Sequence, residues 1–238
     1  MSFSCGFVGL PNVGKSTLFN ALSKGGAASA NFPFCTIEPN TGVVTVPDKR
    51  LDVLSKMENS AKILPTALKF IDIAGLVEGA SQGQGLGNQF LGHIRNVDAI
   101  AHVVRLFEDT DVVHVAGKID PLHDLDVILT ELMLADLDML EKRMVKSRKL
   151  MRSNDPETKA ETELMQRLIA DLAETRIPQV DRENMAEMER VHRLGLLTTM
   201  PAFICANCDE TAFRSFGDSP NSAALIEFGQ KHNMEVVP

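Results

Sequence analysis

Gly9-Leu10-Pro11-Asn12-Val13-Gly14-Lys15-Ser16 is the stretch on which the fold turns. It is a full Gly-x-x-x-x-Gly-Lys-Ser match, set between an apolar run at 3–9 that predicts a strand and a pattern at 15–24 that predicts a helix. The two glycines permit backbone conformations that turn successive N–H groups inward around phosphate oxygens. A helix beginning near Lys15 adds the positive end of its dipole. Lys15 is expected to reach the β- and γ-phosphates of a nucleotide and Ser16 to ligate Mg²⁺, with Asn12, Val13, Gly14 and Thr17 completing the loop.

Working outward, β-branched and apolar runs at 42–47, 68–73 and 99–107 predict further strands. A glycine-rich stretch at 75–87 separates the second of these from a helix near 88–96. The alternation predicts an α/β domain, a mostly parallel sheet with flanking helices. Asp72-Ile73-Ala74-Gly75 falls at the end of a strand, where the Asp72 carboxylate can hold a water on Mg²⁺ and the Gly75 N–H can meet a γ-phosphate. Thr36, in Asn31-Phe32-Pro33-Phe34-Cys35-Thr36, is either an ordinary loop threonine or a switch residue that closes over phosphate and metal.

From Pro121 the texture changes. Met133, Leu137, Leu140, Met144, Ser147 and Met151 recur at 4-3-4-3-4 spacing, the seam of a long helix packing on a partner helix. A turn at 153–156 and the stripe Leu164, Leu168, Leu172 predict the returning helix, and a third helix is expected over 181–194. The chain is therefore divided into a nucleotide-binding domain (1–120 and 200–238) and a helical hairpin insertion (121–199). Strands at 201–206 and from 235, with a helix at 223–232 between them, return the chain to the sheet.

The 238 residues carry 24 basic and 32 acidic side chains, a net charge of −8. That balance argues against bulk binding to DNA. No apolar run is long enough to span a membrane, and four irregularly spaced cysteines predict a reducing, cytoplasmic setting. Lys142, Arg143, Lys146, Arg148, Lys149 and Arg152 crowd the first hairpin helix, with Lys142, Lys146 and Lys149 on one face, either an ordinary solvated face or a contact surface.

Three long segments carry a resemblance: the run from Phe7 through Leu22, Asn-Phe-Pro-Phe-Cys-Thr-Ile-Glu-Pro-Asn at 31–40, and Asp-Ile-Ala-Gly-Leu-Val-Glu-Gly-Ala-Ser at 72–81. Together with His-Val-Ala-Gly-Lys-Ile-Asp-Pro at 114–121 they resemble the Obg family of P-loop NTPases, in its YchF or Obg-like ATPase branch. The resemblance implies a G-domain fold, Mg²⁺-dependent nucleotide hydrolysis, a switch role for Thr36 and association with the ribosome, which would give the basic hairpin face to ribosomal RNA. It also implies a further strand, a closing helix and a C-terminal TGS domain beyond Pro238, so a C-terminally truncated member is expected.

Guanine-specific relatives carry Asn-Lys-x-Asp where this chain has Asn207-Cys208-Asp209-Glu210. The lysine over the base is missing, and Glu210 displaces the carboxylate by a methylene from a bidentate contact whose geometry matters. Asn207 can instead offer an amide to the N6/N7 edge of adenine. ATP is therefore expected over GTP. The alternatives are a GTPase that tolerates Glu210 and a non-catalytic, nucleotide-gated binding module. Leu76 stands where Ras-like proteins orient water with glutamine, and leucine cannot do so. His114 is the candidate replacement, against the plainer reading of a surface histidine. Asn12 is a candidate for holding a K⁺, as in potassium-activated relatives.

Overall fold

The computed structural model describes residues 3–25, 40–73, 86–109, 118–150 and 155–238. The strands are β1 (Phe3–Val8), β2 (Thr41–Thr45), β3 (Ala67–Asp72), β4 (Ala99–Arg105), β5 (Ala202–Asn207) and β6 (Glu235–Val237). They form one sheet in the order β2-β3-β1-β4-β5-β6. All neighbours pair in parallel except β2 with β3, which are antiparallel. β1 and β4 lie at the centre, and β4 is buried along its whole length. A strand covered on both faces reads as a near-continuous apolar run, which is how both appear in the sequence.

The helices are α1 (Lys15–Gly25), α2 (Lys49–Met57), α3 (Leu86–Ile94), α4 (Pro121–Leu150), α5 (Pro156–Ala173), α6 (Met185–Leu194), α7 (Glu210–Arg214) and α8 (Pro220–His232). Local chemistry sets their ends. Asp155 caps α5 ahead of Pro156, Ser219 caps α8 ahead of Pro220, and Gly195 closes α6 at φ 66°. The helix expected from residue 181 begins at Met185 because the Asn184 side chain takes the Glu187 N–H and fixes the start there. α2 and α7 have no counterpart in the sequence reading.

Two apolar clusters hold the layers together, and α4 belongs to both. Ile128 and Leu132 pack with Val8, Val13, Ile94, Ile100 and Val103 between sheet and helices. Leu125 and Leu129 pack with Val104, Ile204 and Leu225, and the same cluster runs on through Leu140, Met144, Leu164, Leu168 and Leu172 along the hairpin. The first turns of the segment read as an insertion from residue 121 are thus part of the sheet's core. Asp136 on α4 is fully buried and accepts from the Leu197 N–H (3.0 Å), the Thr198 N–H (2.8 Å) and the Thr198 hydroxyl (2.8 Å). This carboxylate fixes the hairpin's root to the turn that leads into β5.

Candidate nucleotide-binding site

β1 ends at Val8 and α1 begins at Lys15, so residues 9–14 form a loop between the centre of the sheet and a helix N-terminus. Val13 is fully buried and anchors the loop from below. Asn12 (φ 64°) and Gly14 (φ 96°) both adopt left-handed backbone, the turn that carries N–H groups inward. A Cβ on Gly9 would lie 2.5 Å from the Val103 carbonyl oxygen, and one on Gly14 would lie 2.2 Å from Asn207 Nδ2. Gly9 is therefore required by its close approach to backbone, and Gly14 by its left-handed backbone conformation, with a Cβ there also pushing the Asn207 amide aside.

The Lys15 side chain folds back into this loop. Its Nζ donates to the Gly9 carbonyl (3.0 Å) and the Leu10 carbonyl (2.7 Å), and only 7% of the residue is exposed. Burial pulls its pKa down to about 8, a fall that the nearby Asp72 charge partly offsets. The two expected metal-binding side chains meet, with the Ser16 hydroxyl donating to Asp72 Oδ2 at 2.7 Å. β3 delivers Asp72 to that position, and the Asp72 N–H donates to the Asn40 carbonyl (2.9 Å). A hydroxyl and a carboxylate are hard oxygen donors, few in number and solvent-accessible, a set that fits an ion like Mg²⁺, which keeps several waters and takes phosphate oxygens.

At the other end of the loop, Asn207 closes β5. Its Nδ2 donates to the Val13 carbonyl (2.9 Å), and its own carbonyl accepts from the Leu106 N–H (2.8 Å). One amide hydrogen is thus spent on holding the loop, and any contact with a base falls to the other hydrogen and Oδ1. Asp209 caps α7 by accepting from the Thr211 and Ala212 N–H groups. Glu210 opens that helix with its side chain 93% exposed, 4.0 Å from Arg214. Burial raises the pKa of both Cys205 and Cys208, which keeps them as thiols, the opposite of the thiolate character that makes a cysteine reactive. Thr17 follows Ser16 on α1. Thr36, Gly75 and His114 lie outside the described residues.

Arg105 and Phe107 enter the site without having been singled out in the sequence. Arg105 is 1% exposed, its guanidinium sits 4.3 Å from the centroid of the Phe107 ring, and its Nε donates to the Phe107 carbonyl (3.0 Å). The ring is within 4.0 Å of where a Gly14 Cβ would be, beside the loop and Asn207. The available signal was positional: Phe107 follows the carboxyl end of a central parallel strand, where open α/β sheets bind ligands.

The glycine loop, the Ser16–Asp72 contact beside it and the strand order together define a P-loop nucleotide-binding α/β domain. The sequence profile of the family described as 50S ribosome-binding GTPase matches residues 4–142. "Ribosome-binding ATPase YchF" of Haemophilus influenzae is 49% identical over 238 residues, all of this chain and 65% of the relative; the protein of the same name from Bacillus subtilis is 47% identical over the same spans. The solved structure of the Schizosaccharomyces pombe YchF GTPase superposes with a TM-score of 0.73 at 34% identity, covering 99% of this chain and 72% of that one. The chain belongs to the 50S ribosome-binding GTPase family, in its YchF branch. The resemblance and the G-domain fold read from the sequence are borne out. The chain spans about 65% of the length of the curated relatives it matches.

Proposed function

We propose that the chain binds a nucleoside triphosphate with Mg²⁺ on the Gly9–Ser16 loop and hydrolyses it, favouring ATP over GTP, as a ribosome-associated switch in the cytoplasm. The observation that carries this reading is the Ser16–Asp72 contact beside a buried Lys15. Lys15 leaves the Gly9 and Leu10 carbonyls to neutralise β- and γ-oxygens, while the loop N–H groups orient the chain of phosphates. Ser16 and Asp72 would hold Mg²⁺, which when bound neutralises charge developing between the β- and γ-phosphates. Thr36 and Gly75 are assigned to sensing the γ-phosphate, and His114 to positioning the attacking water.

For the base, the reading rests on Cys208 and Glu210 in place of the guanine-reading pattern. Asn207 and the Phe107 ring flank the loop on the base side, the ring offering a face on which a purine can stack. A K⁺ near Asn12 belongs to the same proposal. Ribosome association follows the relatives' printed names, and the sequence assigns it to the Lys142, Lys146 and Lys149 face of the hairpin.

Phosphate release from ATP is the test, measured for the wild type, Lys15→Ala and Asp72→Ala. Loss of turnover in both variants is expected. Equal rates in all three would overturn the assignment.

A further inference from the structure

A groove of about 840 Å³ runs between α3 and the middle of α4. Its floor is apolar: Leu91, Ala135 and Met139. Its rim is basic: among the described residues Arg95, Lys142, Arg143 and Lys146 line it, with Asp138 the one acid. On a chain with a net charge of −8 this is a local reversal of sign. The inner cations are already engaged. Arg95 donates to the Gly195 carbonyl (3.1 Å) and lies 3.9 Å from Asp136, and Arg143 pairs with Glu161 (2.9 Å). These contacts set the walls. Lys142 bonds to Asp138 at 2.6 Å with 72% of its side chain exposed, and Lys146 is exposed with no ion pair to another described residue. Gly92 opens the groove further, since a Cβ there would meet nothing within 4 Å.

We propose that this groove docks an acidic amphipathic helix of a partner protein, its apolar stripe on Leu91, Ala135 and Met139 and its carboxylates toward Lys142 and Lys146. Helix-in-groove recognition needs this combination of apolar floor and complementary rim. RNA is the poorer fit. Among the described residues no aromatic side chain lines the groove, so these residues offer no surface on which unpaired bases stack. The proposal specifies the partner for the hairpin face to which ribosome association is assigned, and rests on that reading for its biological setting.

The probe is a labelled synthetic peptide with leucines at i, i+4 and i+7 and glutamates between them, titrated by fluorescence anisotropy. Gly92→Trp fills the groove, Lys142→Glu with Lys146→Glu reverses the rim, and Gly92→Ala is the control that leaves the groove open. Saturable binding to wild type and Gly92→Ala is expected, weakened about tenfold or more in the other two, with nucleotide affinity unchanged throughout. No saturation at roughly millimolar protein, a weak-binding limit on the usual affinity scale, or equal affinity in Gly92→Trp, overturns the proposal. So does an unlabelled oligoribonucleotide that outcompetes the peptide in the wild type. Co-pelleting with ribosomes, run in parallel, decides the ribosome reading separately: its absence removes the setting without touching the peptide result.

Discussion

Raising the pH from 7 to 9 is expected to weaken triphosphate binding through one side chain. Lys15 is 7% exposed and held against two carbonyls, and burial brings its pKa to about 8. In the free protein it is then about nine-tenths charged at pH 7 and about one-tenth charged at pH 9. The phosphates favour the charged ammonium and push its pKa back up in the complex. The complex therefore binds more protons than the free protein above pH 8, so binding takes up a proton and affinity falls as pH rises. The ratio of free-state terms between pH 7 and 9 gives a loss of about tenfold, or roughly 1.4 kcal/mol. Calorimetry of the Mg²⁺ complex of a non-hydrolysable analogue, in two buffers of different ionisation heat, reads the proton count directly. Uptake of about 0.1 proton at pH 7 and about 0.9 at pH 9 is expected. Lys15→Arg keeps its charge throughout and is expected to bind more weakly but with no slope. A flat wild-type profile with no proton uptake at pH 9 would show that Lys15 stays charged in the free protein.

Three further outcomes follow from the same structure. Gly14→Ala puts a Cβ 2.2 Å from Asn207 Nδ2 at a φ of 96°, which is expected to cost about 1–3 kcal/mol of stability by denaturant titration and to remove measurable nucleotide binding. Asp136→Ala strands the buried Leu197 N–H and the half-buried Thr198 N–H, and a loss of about 2–4 kcal/mol is expected, with nucleotide affinity retained at temperatures where the variant stays folded. His102 is fully buried, and its pKa falls to about 4. The unfolded chain binds its proton below about pH 6.5 while the folded chain does not, so stability is full above that value. Roughly 3 kcal/mol is lost as pH falls to 4. His102→Leu is expected to flatten that acid limb, and an unchanged limb would show that other groups set it.

The reach of the sequence differed from element to element for physical reasons. The Gly9–Ser16 loop was legible because strand, glycines, lysine and helix start are contiguous and each is demanded by phosphate chemistry. Asp72 was legible because it ends an apolar run, and its meeting with Ser16 follows from the parallel β1–β3 register. α2 was not legible. It buries no residue and leaves Val53, Leu54 and Met57 exposed, so no buried stripe marks it, and the Asp48 cap alone starts it. Asp136 looks like a solvated helix position, because nothing local announces a turn 61 residues away folding over it. The Asn207 contact with Val13 spans 194 residues. The sequence identified the residue by its motif and missed that it braces the loop. The reversed pairing of β2 at the sheet edge likewise depends on a connection that no local pattern encodes.

The P-loop site is proposed to favour adenine at its base end. Titration calorimetry of the chain with Mg²⁺ and non-hydrolysable ATP and GTP analogues tests it most directly, since the sequence contains no Trp or Tyr to report binding by fluorescence. Binding of the adenine analogue at least about fivefold tighter, near 1 kcal/mol, lost in Lys15→Ala, is the predicted result. Tighter binding of the guanine analogue, or binding that survives Lys15→Ala unchanged, would contradict it.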